Sequence, residues 1–117
     1  MFKKILQETV EGLPGAVGAI FADWEGEAVE QFFPGPVDDI KLLGAHQGII
    51  LHLIAEAGGE SGLGAAEVVL ITLADAKVVV QPLKDGYFLV LLAERTCNGG
   101  LALRATGRAA EILREEI

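Results

Sequence analysis

The sequence is poor in the residues from which most chemistry is built. It has one cysteine, Cys97, and two histidines, His46 and His52, among 117 residues. One cysteine excludes an internal disulfide framework. The opening MFKKILQETV is too short and too quickly acidic for a secretory signal, so a cytoplasmic location is expected. His46 and His52 are six positions apart and do not share a helix face for a metal ion. Gly-Lys-Ser/Thr occurs nowhere, and Gly59 to Gly64 leads from a helix into a strand, the reverse of a phosphate loop. With no nucleophile, base or metal constellation, no catalytic residue, cofactor or enzymatic activity is expected. Basic residues are scarce: 9 against 17 acidic, a net charge of −8. Asp23, Glu25, Glu27, Glu30, Asp38 and Asp39 form an acidic stretch with no base between Asp23 and Ile40. That argues against nucleic acid or an anionic membrane surface as partner. No apolar run approaches the ~18 residues of a membrane span; the longest, Tyr87 to Ala93, is strand length.

What the chain has in abundance is aliphatic surface. Apolar residues make up 51% of it and mean hydropathy is positive. The periodicity from Val37 to Ala57 predicts a long helix whose clearly polar arc is only Lys41, His52 and Glu56. The rest, including Leu42, Ile49, Leu53, His46, Ile50 and Ile54, spans roughly 200°, twice the ~100° stripe of a half-buried helix. Gly44 and Gly48 add a strip beside it where another backbone could come close. One sheet face in so small a domain cannot cover that arc. A second chain covering the remainder is the simplest account.

The other elements follow from punctuation and period. Phe2 to Glu11 reads as an amphipathic helix with Phe2, Ile5, Leu6 and Val10 inward, stopped by Gly12-Leu13-Pro14-Gly15. Ala16 to Ala22 and Glu27 to Phe33 read as strands around an Asp23-Trp24-Glu25-Gly26 turn. Pro34-Gly35-Pro36 breaks the chain before the long helix. Glu67 to Leu73, Lys77 to Leu83 and Tyr87 to Glu94 are strands whose connections are too short for crossovers, so they pair antiparallel. Val68 to Ile71 and Phe88 to Leu92 are apolar on both faces, the signature of a strand covered above and below. A final helix, about Gly100 to Glu116, points Leu101, Ala105, Ala109, Ile112 and Leu113 inward. The order αββαβββα predicts a single α+β domain over residues 1–117: a five-stranded antiparallel sheet, the long helix on one face and the two terminal helices on the other.

That order resembles the Roadblock / dynein light chain family. LPGAVGAIFADWEGEAVEQF is similar to the family's opening strand and turn, and GYFLVLLAERTCNGGLALRAT to its last strand and the helix that follows. The resemblance covers essentially the whole chain, through apolar patterns and glycines. It implies a homodimer in which the strand after the long helix, here Glu67 to Leu73, pairs with its symmetry mate while the long helices lie side by side. It also implies a platform for a small Ras-like GTPase, as in bacterial relatives that regulate a polarity and motility GTPase. The compact Gly/Ala-rich chain reads as prokaryotic. The expected dimer residues are Leu42, Ala45, Ile49 and Leu53, then Gly44 and Gly48, with Val69 and Ile71 in the pairing strand. Ile49→Asp is expected to weaken the dimer by several kcal/mol, roughly the effect of an unpaired buried charge.

Trp24 sits in a turn with little core to enter, and either lies over the hairpin or anchors a partner. His46, inside the apolar arc, is an interface or core histidine and a possible partner contact. Cys97 reads as structural, Asn98-Gly99-Gly100 as a turn and cap, and Arg104 and Arg108 as solvating the last helix. From another functional class, a small-molecule sensor shares this sheet-and-helix plan. It would require a concave pocket with convergent polar groups, against an interior read as nearly all aliphatic.

Overall fold

The computed structural model describes residues 1–35 and 67–117. The described elements are α1 (Phe2–Glu11), β1 (Ala16–Ala22), β2 (Ala28–Phe32), β3 (Val69–Thr72), β4 (Ala76–Pro82), a 3-10 turn (Lys84–Gly86), β5 (Phe88–Glu94) and α2 (Gly99–Glu116). The expected long helix over Val37 to Ala57 and the loop from Gly58 lie outside the described residues.

The strands form one five-stranded sheet in the order β2-β1-β5-β4-β3. Every neighbouring pair is antiparallel, so β5 is central and β2 and β3 are the edges. Period-two alternation sorts its side chains onto two faces. Ala19, Phe21, Val79, Leu89, Leu91 and Ala93 point to one face, where Leu6, Val10 and Leu13 from the α1 end and Ala102, Ala109 and Leu113 from α2 complete the main core. Both terminal helices thus cover the same side, as the element order predicts. Ile20, Ala22, Val78, Val80, Val90 and Leu92 form a second buried cluster on the other face. The all-apolar run of β5 is therefore buried on both sides.

The adjacent Phe32 and Phe33 divide between the faces, Phe32 packing on the first cluster and Phe33 on the second. The Phe33 ring lies directly over Gly18, where any Cβ would overlap its Cδ1 and Cε1 atoms. A glycine in a strand interior here marks a close approach.

One expectation is corrected. Leu101 and Ile112 do not face the core; they are 44% and 47% exposed. The buried side of α2 is Ala102, Thr106, Ala109, Ala110 and Leu113. Small side chains let the helix axis sit close to the sheet, and the two bulky residues are turned to its flank. The Thr106 hydroxyl, fully buried, donates to the Ala102 carbonyl at 3.0 Å, so its burial leaves no polar group unsatisfied. Asn98 caps the helix by accepting from the Leu101 amide at 3.0 Å.

Candidate partner-binding surfaces

Among the described residues, three surfaces could present something to a partner: the outer edge of β3, the Trp24 corner and the flank of α2. The backbone of β3 determines what its edge offers. The Leu73 amide donates to the Ala76 carbonyl at 2.8 Å, closing the β3–β4 turn. In an antiparallel ladder, bonded and non-bonded pairs alternate from there. With the register Ile71↔Val78 and Val69↔Val80, those residues exchange hydrogen bonds with β4. The N–H and C=O groups of Leu70 and Thr72 therefore point outward, away from β4. Among the described residues no strand lies beside that edge.

The side chains of the same strand are apolar on both faces. Leu70 packs on the main core and Val69 on the second cluster. Val69 and Ile71 lie on one face, half-buried, while Val68 and Leu73 at the two ends are 39% and 46% exposed. Arg95 Nε donates to the Leu73 carbonyl at 3.0 Å and Gln81 Nε2 to the Glu67 carbonyl at 2.8 Å. Both ends of β3 are thus tied to the sheet, and the strand is held ready at its edge.

At the opposite end of the sheet order, the β1–β2 turn carries Trp24, which is 61% exposed. The indole stands edge-on to Tyr87, with ring centroids 5.6 Å apart and planes at 77°. It lies beside the turn into β5, resting one edge on Tyr87 while most of its surface stays exposed.

The flank of α2 was not foreseen. Leu101, Ala105, Arg108 and Ile112 follow an i, i+4, i+7, i+11 stripe, a pattern visible in the sequence once two faces of one helix are considered. Between it and α1 runs a depression of about 320 Å³ lined by residues including Ile5, Thr9, Gly12, Ala105, Arg108 and Ile112.

Cys97 is buried and its Sγ lies within 3.8 Å of the Asn98 carbonyl. Burial pushes its thiol above the ordinary value; the Lys77 ammonium opposes that rise and Glu94 adds to it. Lys77 Nζ donates to the Cys97 carbonyl at 2.7 Å rather than to sulfur. The thiol is held protonated and inaccessible, the opposite of a reactive cysteine. Its Cβ crowds Gly15, where an added Cβ would come within 3.0 Å and where φ is +89°, so it locks the loop before β1. Arg104 and Arg108 are exposed on α2.

Of the residues expected at a dimer or partner contact, the structure places Val69 and Ile71 in the edge strand and Trp24 at the far corner. Leu42, Gly44, Ala45, His46, Gly48, Ile49 and Leu53 lie outside the described residues. Among the described residues, no helix is long and apolar enough to cross a membrane.

No family model and no curated protein matches the sequence. Solved structures do match. MglC from Myxococcus xanthus superposes with a TM-score of 0.79 at 18% identity, over 99% of this chain and 98% of that one. A Roadblock/LC7 domain from Streptomyces avermitilis gives 0.76 at 17%, over 97% and 95%. MglB in a tetrameric arrangement gives 0.68 at 22%, over 97% and 85%. At such identities the likeness is one of fold. The chain has the Roadblock/LC7 fold, in agreement with the resemblance in its sequence.

Proposed function

We propose that this chain is a homodimeric, non-enzymatic cytoplasmic platform that binds a small Ras-like GTPase and regulates its nucleotide cycle. The observation that carries the reading is β3: an edge strand apolar on both faces, anchored at both ends, with the Leu70 and Thr72 backbone groups turned outward. An apolar edge of this kind left bare invites uncontrolled pairing. Pairing with its symmetry mate satisfies the outward groups and closes the assembly at two copies. Leu42, Ala45, Ile49 and Leu53, with Gly44 and Gly48, then continue that interface, and His46 contacts either the mate or the GTPase.

The Roadblock fold supports the GTPase half of the reading, and MglB in its tetrameric arrangement is an example of assembly on this fold. The chain acts by favouring one conformation of the GTPase's own switch elements. The sensor reading requires an enclosed pocket with convergent polar groups; among the described residues, the depression between α1 and α2 is an open groove.

Light scattering over a dilution series, followed by nucleotide exchange and hydrolysis rates of Ras-like GTPases from the same genome with and without the chain, tests both halves. A dimer that binds one of them and changes either rate is expected. A monodisperse monomer at roughly micromolar concentration, a range in which specific interfaces hold, would overturn the dimer; a dimer that alters no GTPase would overturn the regulatory role.

A further inference from the structure

Trp24 is the only tryptophan in the chain, and it stands 61% exposed. Its position is nevertheless fixed from three sides. Tyr87 meets it edge-on at 5.6 Å, Tyr87 stacks on Phe21 at 5.2 Å, and Phe21 lies 4.7 Å from Phe2, so a series of rings runs from the buried core out to the indole. The backbone of Gly86, at φ +82°, comes so near that a Cβ there would sit 3.2 Å from Trp24 Cβ. Its own turn is knotted by Asp23. The Asp23 amide donates to the Glu27 carbonyl and the Gly26 amide to the Asp23 carbonyl, both at 3.0 Å. Asp23 Oδ1 also accepts from the Glu25 and Glu27 amides at 2.9 and 3.1 Å. The turn fixes the backbone that carries the indole and Tyr87 supports one edge of the ring, so part of the ordering cost of covering it is already met, as at an interface anchor.

Acidic groups outnumber basic ones around it. Asp23, Glu25, Glu27 and Glu30 follow one another with no base from Asp23 to Gly35, and Asp85 adjoins Gly86 across the corner. Of the cations nearby, Lys84 directs its amine to the Ile117 carbonyl at 3.4 Å, and Lys3 shares a depression with Glu30 rather than with the indole. A π-face set among carboxylates is complementary to a guanidinium or ammonium group. Phosphate-bearing partners are repelled by the same field.

We propose that the Trp24 corner docks a basic segment of a protein partner, with an arginine or lysine seated over the indole and the carboxylates of Asp23, Glu25 and Glu27 around it. The corner lies at the β1–β2 turn and the proposed dimer edge at β3, at opposite sides of the strand order. The docking stands whether or not the partner is a GTPase.

The test uses the whole chain and a fluorescein-labelled ten-residue peptide of alternating arginine and serine, with a glutamate–serine peptide as counterpart. Emission of the single tryptophan and anisotropy of the label are read together. The arginine peptide is expected to bind saturably and shift the Trp24 emission, while the glutamate peptide does neither. Trp24→Ala should weaken binding about tenfold, the scale of a partly desolvated cation–π contact, and Trp24→Phe should retain part of it. The pair Glu25→Gln and Glu27→Gln should weaken binding and flatten its salt dependence. The pair Glu115→Gln and Glu116→Gln, an equal charge change at the end of α2, should leave it unaltered. Equal losses in both pairs, or no loss in Trp24→Ala, would reduce the binding to net charge and overturn the proposal. A fall in molar mass of Trp24→Ala without peptide would overturn it differently, by assigning the corner to a second copy of this chain.

Discussion

The outward amides of β3 allow the proposed edge pairing to be broken without touching the fold. Thr72 is exposed, its register partner is Lys77, and its amide faces away from β4. Thr72→Pro removes that amide as a donor while leaving every β3–β4 hydrogen bond in place. Proline is tolerated at an edge position whose N–H faces solvent, so the protomer should lose no more than about 1 kcal/mol, the scale of a surface substitution. In a two-fold dimer the substitution occurs twice, and two inter-chain bonds are lost. Each leaves a carbonyl without its partner at a cost of about 1–3 kcal/mol, so the dimer weakens by roughly 2–6 kcal/mol. At about 1.4 kcal/mol per decade, the dissociation constant rises by between roughly 30-fold and 10⁴-fold. Thr72→Val, which keeps the amide and favours a strand, should leave it within a few-fold. Light scattering down a dilution series reads the constant, and urea unfolding of the monomer reads the fold. Unchanged dissociation in Thr72→Pro, with unchanged unfolding, would refute the register argument and remove β3 from the interface.

Three further substitutions or conditions probe the packing. Gly18→Ala forces the Phe33 ring off the strand and should cost about 1–3 kcal/mol, the range for overpacking, seen as a lower urea midpoint; an unchanged midpoint would mean that the ring has free space to move. Thr106→Val removes a buried hydroxyl whose acceptors, the Ala102 and Leu103 carbonyls, are helical carbonyls, so thermal unfolding should shift by no more than the equivalent of about 1 kcal/mol. The raised Cys97 pKa means that the folded state holds its proton where an unfolded thiol has lost it. Its contribution to stability is therefore complete below about pH 8.5 and declines as the pH rises through the folded value. Cys97→Ser should remove that alkaline decline in urea midpoints, and the native thiol should react with a disulfide reagent at neutral pH only as fast as the chain opens.

Where the sequence carries explicit stop signals, the elements could be read closely. α1 and β1 occupy the expected spans because Gly12, Pro14 and Gly15 end one and Asp23 with Gly26 ends the other. The two-sided burial of β5 was legible because an alternating set of aliphatics on each parity leaves no polar face. The rotation of α2 was not. Leu101 and Ile112 are larger than Ala102 and Ala110 and rank above them in any hydrophobic count, yet close approach to a sheet rewards small residues, and a helix with two apolar stripes does not declare which one meets it. The Trp24 corner was half legible. The acidic turn and the exposed aromatic were visible, whereas the support from Tyr87 and Gly86 comes from residues more than sixty positions away, brought there by the β1–β5 pairing.

The contrast between β3 and β5 shows where local pattern ends and topology begins. Val68 to Ile71 and Phe88 to Leu92 have the same character in sequence: β-branched or bulky, uncharged, apolar at both parities. In β5 that composition is fully used, because β1 and β4 flank it and both of its faces are buried. In β3 the same composition stands at the rim, with its side chains half-buried and two backbone positions turned outward. Nothing within four residues distinguishes these cases. They are separated by the order β2-β1-β5-β4-β3, which follows from the short β3–β4 and β4–β5 connections together with the return of the chain to pair β5 against β1. An apolar strand that topology places at an edge is a strand with capacity left over, and it is this remaining capacity, rather than any reactive side chain, that directs the proposed function to the surface of the sheet.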